Sequence, residues 1–197
     1  MKTRKLLFVS GLLMLSFFSN AQGVKWGLKA GANFSTINTE GTAATYASRT
    51  GIHAGLLAHI HLNKSWAIQP ELVYSLQGGK SNLAAGGTQA INLNYLNVPV
   101  LLQYLFSNGF RIETGPQAGF LMSANSKTGS TTTSLTDTYN KTDFSWAFGA
   151  GYLSSIGLGL DVRYNLGLTD AYNLASDKQK NNVVQVGLFY MFDHKSK

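Results

Sequence analysis

Three histidines and six charged side chains are the residues of this sequence with chemistry to offer. His53, His59 and His61 occupy alternate positions of one stretch. Two histidines two apart on a strand share a face with their side-chain bases about 7 Å apart. That spacing lets His59 and His61 reach one divalent cation, with a carboxylate such as Glu71 from a neighbouring strand as a further ligand. The simpler reading makes them hydrogen-bonding groups of an interior, and no metal site is assigned. The second set is Lys29, Arg111 and Arg163 with Glu71, Glu113 and Asp161, three bases balancing three acids. Buried together, such groups must pair. A lipid-modifying hydrolase or acyltransferase would need a serine, histidine and acid grouped at its surface. No such grouping stands out, and His194 falls in the C-terminal tail. No catalytic residue and no cofactor is therefore assigned, and a non-enzyme is expected. The chain has no cysteine, which removes disulfides and thiolate metal sites. No phosphate-binding loop is present either.

These residues lie in stretches of strict alternation. In residues 158–168, Leu158, Leu160, Val162, Tyr164, Leu166 and Leu168 alternate with Gly159, Asp161, Arg163, Asn165 and Gly167. A strand places alternate side chains on opposite faces, so one face is apolar and the other polar. Seven further segments behave similarly: 26–36, 50–62, 66–78, 91–104, 110–122, 144–153 and 183–192. In 91–104 the apolar phase slips, with Ile91, Leu93 and Tyr95 on one phase and Val98, Val100, Leu102 and Tyr104 on the other. A β-bulge near Leu96-Asn97-Val98-Pro99 is expected to absorb it. Short connections (63–65, 107–109, 154–155) alternate with long polar ones (37–49, 79–90, 123–143, 169–182). The third long loop is rich in threonine and serine.

This pattern predicts an all-β fold: an eight-stranded antiparallel up-and-down transmembrane β-barrel, apolar outside and polar inside. In lipid every backbone polar group must be paired within the protein, and a closed sheet achieves this without an edge. A soluble barrel with an apolar cavity would not carry the six charges on its inner face. Aromatics near strand ends, among them Trp26, Trp66, Tyr164 and Phe192, suit the interfaces of a bilayer. Charged residues make up only 13% of the chain, against about 25% in soluble domains.

Residues 1–21 read as a cleaved signal peptide: Lys2, Arg4 and Lys5, an apolar run over 6–18, then Ser19-Asn20-Ala21. The apolar run is shorter than the roughly 20 residues of a spanning helix. Residues 22–192 form the expected barrel domain and 193–197 a short periplasmic tail. The formal charge of +7 includes the three leader bases, and the rest are scattered. No nucleic-acid role follows.

Tyr95-Leu96-Asn97-Val98-Pro99-Val100-Leu101-Leu102 with Gln103-Tyr104, and Asp161-Val162-Arg163-Tyr164-Asn165-Leu166-Gly167-Leu168, resemble two strands of the PorT-like outer-membrane β-barrel family. The opening Trp26-Gly27-Leu28-Lys29-Ala30-Gly31-Ala32-Asn33-Phe34-Ser35 is similar to that family's start. Tyr95, Pro99, Arg163, Tyr164 and Gly167 are its motif positions here. The resemblance implies an outer-membrane barrel with both termini periplasmic, and says nothing of chemistry. Expected partners are outer-membrane lipids, the barrel assembly machinery during insertion, and an unidentified external partner; a monomer is expected. The reading adopted is a barrel with a filled polar lumen, acting structurally or through its external loops. The alternative is a narrow porin-like channel for small solutes. A lipid-modifying enzyme and a secretion-system component rank below both.

Overall fold

A computed structural model describes residues 24–40, 47–82, 87–170 and 178–192. The expected signal peptide (1–21) and tail (193–197) lie outside these residues. Nine strands follow in order: β1 (Lys25–Glu40), β2 (Ala47–His61), β3 (Trp66–Asn82), β4 (Thr88–Leu105), β5 (Phe110–Thr128), β6 (Thr131–Ser134), β7 (Thr142–Leu153), β8 (Leu158–Gly167) and β9 (Lys178–Met191). Every pairing is antiparallel, and β1 pairs with β9 to close the sheet. Eight strands form the closed barrel; β6 is a short addition that pairs with the end of β5. No helix of the described residues is long and apolar enough to cross a membrane.

The short connections are shaped by local hydrogen bonds. The Asn63 side-chain oxygen accepts from the backbone N–H of Ser65 and Trp66, both at 2.9 Å. Asn108 Oδ1 accepts from Phe110 N–H at 3.1 Å, and Gly109 takes a positive φ of 90°. Asparagine and glycine favour such turns because one mimics a backbone acceptor and the other tolerates the left-handed region. Both ends of the barrel chain meet at this short-turn end, where Phe192 N–H donates to Trp26 C=O.

The other end is longer. A strand needs about 9–11 residues to cross a bilayer, whereas β3, β4 and β5 have 17, 18 and 19. Much of what reads as loop in the sequence is therefore sheet. The threonine-rich stretch expected as a loop at 123–143 continues β5 and turns back as β6.

The bulge expected in β4 near Leu96–Pro99 is absent. The register of β4 runs without a shift against β3, and its odd-numbered residues from Ile91 to Gln103 all face inward. The register shift lies opposite, where Asn94 pairs with Ser123 but Tyr95 pairs with Leu121, which puts the extra residue in β5 at Met122. Ile91, Leu93 and Tyr95 thus belong to the interior, because apolar residues are needed there too. They pack with Ile37, Ala124 and Tyr139 at the long-loop end of the lumen. A second shift falls in β2 between Ser48 and His53.

Candidate functional site: the barrel lumen

Alternation decides which side chains meet inside. Across the barrel wall, Lys29 from β1, Glu71 from β3, Glu113 from β5, and Asp161 and Arg163 from β8 are all less than a tenth exposed. Arg163 is the hub. Its Nη1 and Nη2 donate to the two oxygens of Glu71 at 2.9 and 2.8 Å, and its Nε donates to Glu113 Oε1 at 2.9 Å. Planar guanidinium suits such forked pairing. Lys29 Nζ donates to Asp161 Oδ2 at 2.9 Å and to Glu71 Oε2 at 3.4 Å. Gln69 and Gln103 complete the acids, donating to Glu71 Oε1 and Glu113 Oε2. Gln103, seventh of the inward row that begins at Ile91, is legible only once that row is read at strict period two.

Arg111 stands apart from this network. Its guanidinium lies 5.2 Å from the centroid of the Phe189 ring, and its Nε and Nη1 bond to no group among the described residues. Phe189 in turn rests on Gly159, where a Cβ would overlap the ring. With Leu57, Leu153 and Met191, Phe189 forms an apolar layer at the short-turn end.

The histidines serve different neighbours. His53 Nδ1–H donates to Asn33 Oδ1 at 2.8 Å, and Gln185 Nε2 donates to the same oxygen at 3.0 Å. Asn33 Nδ2 donates onward to Ser75 Oγ and Leu76 C=O. His59 Nδ1–H donates to Gln69 Oε1 at 3.2 Å. The rings of His59 and His61 meet edge to face at 4.5 Å, but Glu71, the suggested third ligand, is taken up by Arg163 and Lys29. No group of three metal-ligating residues is present among the described residues.

The lumen is therefore layered: an apolar cluster at each end, and between them paired charges and an amide layer. The outer wall is the inverse, with large apolar residues half exposed throughout. Trp66, Tyr104, Phe106 and Phe110 form a run of edge-to-face rings at the short-turn end, with centroids 5.0, 5.0 and 6.3 Å apart. Tyr190 and Phe192 make a similar pair at 5.7 Å, and Trp26 is outward at the same end. Tyr164 faces outward on β8 between Phe148 and Val184. Of the motif positions, Tyr95 and Pro99 point inward and Tyr164 outward, while Gly167 N–H donates to Asn182 Oδ1 at 2.9 Å. Trp146 stands on the wall itself, and its indole N–H donates to Thr114 Oγ1 at 2.8 Å.

A family model described as outer membrane protein beta-barrel domain matches residues 19–173. Among solved structures, Neisserial surface protein A (NspA) is 11% identical with a TM-score of 0.62, over 87% of this chain and 100% of that one. Ail, the attachment invasion locus protein of Yersinia pestis, solved in complex with the heparin analogue sucrose octasulfate, is 14% identical with a TM-score of 0.51 over the same shares. At these identities the likeness is one of fold. No curated protein matches the sequence.

Proposed function

The chain belongs to the outer membrane protein beta-barrel domain family, and on that footing we propose that it is a closed barrel acting through its surface rather than its lumen. The observation that carries this is the layered interior. Glu71, Arg163, Lys29 and Asp161 pair with one another, and apolar clusters flank them toward both ends. A lumen filled in this way holds the strands in register. The part left to meet other molecules is the sheet that β3–β6 carry beyond the bilayer. Rigid scaffolds commonly display recognition surfaces this way.

The short turns and both termini are assigned to the periplasm, and the long-loop end to the exterior. The barrel is read as a monomer that is not an enzyme, since its buried histidines serve lumen amides. The narrower kinship with PorT-like barrels is part of the proposal and rests on the two strand motifs. The barrel assembly machinery is the partner assigned for insertion.

Planar-bilayer recording tests the closed lumen: the purified protein should give no stable single-channel steps, and reproducible steps would overturn the reading. Orientation is tested with single cysteines, which a cysteine-free chain makes unambiguous. Thr132→Cys should react with an impermeant maleimide on intact cells, and Lys64→Cys only after the outer membrane is opened. The reverse pattern would invert the barrel. A narrow polar path is the second reading. It is favoured by Arg111 Nε, Asp161 Oδ1 and His53 Nε2, buried atoms with no partner among the described residues, since such atoms usually hold water.

A further inference from the structure

We propose that the lumen binds one fixed water molecule between His53 Nε2 and Asp161 Oδ1, in a cradle made by Gly31 and Gly187. The inference goes beyond the closed-barrel reading: it rests on lumen geometry and holds whether or not the lumen conducts.

Register sets the cradle. His53 on β2 pairs with Gly31 on β1, Gly31 with Gly187 on β9, and Gly187 with Asp161 on β8. One row across four strands thus carries a side chain at each end and none between. Both side chains lean over the glycines. A methyl group at Gly31 would meet His53 Cε1 at 2.8 Å, and one at Gly187 would meet Asp161 Oδ1 at 2.9 Å and His53 Nε2 at 3.1 Å. His53 and Asp161 are 2% and 5% exposed. Neither of these two atoms bonds to any group among the described residues.

Both atoms are acceptors. Asn33 Nδ2 donates to the carbonyls of Ile52 and Leu76, which can only accept, so Asn33 turns its Oδ1 toward His53. Nδ1 of the imidazole therefore carries the proton, and Nε2 of the neutral ring offers a lone pair. Asp161 takes Lys29 Nζ on its other oxygen at 2.9 Å. A molecule seated between Nε2 and Oδ1 must donate twice.

Distance selects the ligand. Both atoms lie close to one point over Gly187, so they are at most about 6 Å apart. They form no ion pair with each other, so they are more than about 4 Å apart. A tetrahedral metal about 2.1 Å from an imidazole nitrogen and a carboxylate oxygen would need them about 3.4 Å apart. A water donating two hydrogen bonds of about 2.8 Å at its tetrahedral angle needs about 4.5 Å. The Lys29 ammonium and the Arg163 guanidinium, 2.9 and 3.9 Å from Asp161 Oδ2, also oppose a cation. A neutral water meets both demands, and two partners lie within the range that buried water takes. It joins Asn33 and His53 to Asp161 and Lys29, and so ties the amide layer to the paired charges.

A crystal structure of the full chain, with NMR of its labelled histidine nitrogens in detergent micelles, tests this. One isolated density peak is expected about 2.8 Å from both atoms, and His53 should have Nδ1 protonated and Nε2 bare at neutral pH. Zinc added in excess should leave the His53 nitrogens unshifted. In Gly187→Ala the methyl takes the place of the water, with Asp161 Oδ1, the end of a flexible side chain, giving way slightly; the density peak should be lost. Unaltered heat-modifiable migration shows that this variant is folded, and if it is not, the wild-type measurements decide alone. The proposal is overturned by the lack of a peak between the two atoms, by a proton on Nε2, by a zinc-dependent shift of the His53 nitrogens, or by a peak that survives in Gly187→Ala. None of these readouts depends on conductance, so failure here is distinct from failure of the closed-lumen reading.

Discussion

Arg163 and Glu71, 92 residues apart in sequence, face each other inside the barrel with both guanidinium nitrogens Nη1 and Nη2 on both carboxylate oxygens. The pair joins β8 to β3, strands that are not neighbours in the sheet. It therefore ties opposite walls of the barrel together in a way that backbone pairing does not.

Removing one member should be costly. Glu71→Gln or Arg163→Met is expected to destabilise by about 3–5 kcal/mol, because the surviving charge stays buried without its partner. Urea unfolding in lipid vesicles, followed by gel migration, measures this. The double variant should cost clearly less than the sum of the singles; additivity would show that the two do not act as a pair. Arg111→Met should be much milder, about 1–2 kcal/mol, since its main packing partner is the Phe189 ring.

The inward phase of β4 makes a second prediction. Leu93 is fully buried in the lumen cluster, so Leu93→Ala should cost about 2–5 kcal/mol by leaving a cavity. Leu96 lies on the opposite, lipid-facing phase. There lipid fills the space, and Leu96→Ala should stay within about 1 kcal/mol. Similar costs at both sites would restore a phase change in β4.

Trp146 offers a test of the wall. Its indole N–H donates to Thr114 Oγ1, which donates to Ala147 C=O at 3.0 Å. Thr114→Val keeps the shape and removes the acceptor, so a donor is left facing hydrocarbon. A loss of about 1–3 kcal/mol is expected, and it should vanish in a Trp146→Phe background. Persistence there would mean that threonine acts through its backbone bond alone.

Gly159 makes the tightest approach to the apolar layer at the short-turn end. Gly159→Ala places a methyl against the Phe189 ring, and overpacking of this kind costs about 1–3 kcal/mol. Phe189→Leu in the same chain should relieve most of it. A neutral Gly159→Ala in thermal gel-shift assays would show that the ring moves freely.

The strands were legible because period-two alternation is a local property. Residues 158–168 declare two faces without reference to anything else, and the six charges all fall on the polar phase. Three features were not legible. Ile91, Leu93 and Tyr95 look like lipid wall because an apolar residue reads the same whether it faces lipid or caps a lumen. Only the pairing of Tyr95 with Leu121 rather than Met122 reveals which strand holds the extra residue. The 123–143 stretch looks like loop because threonine and serine are common in both loops and exposed sheet.

The sequence by itself determined the inventory: which charged side chains are inside, that they balance, and that a barrel needs about eight such strands. The tertiary structure alone decided who meets whom. Arg163 takes Glu71 and Glu113 and leaves Arg111 to an aromatic ring. Alternation fixes a residue's face, but partners on other strands depend on register, and register is set by barrel closure and by single-residue bulges that no local pattern encodes.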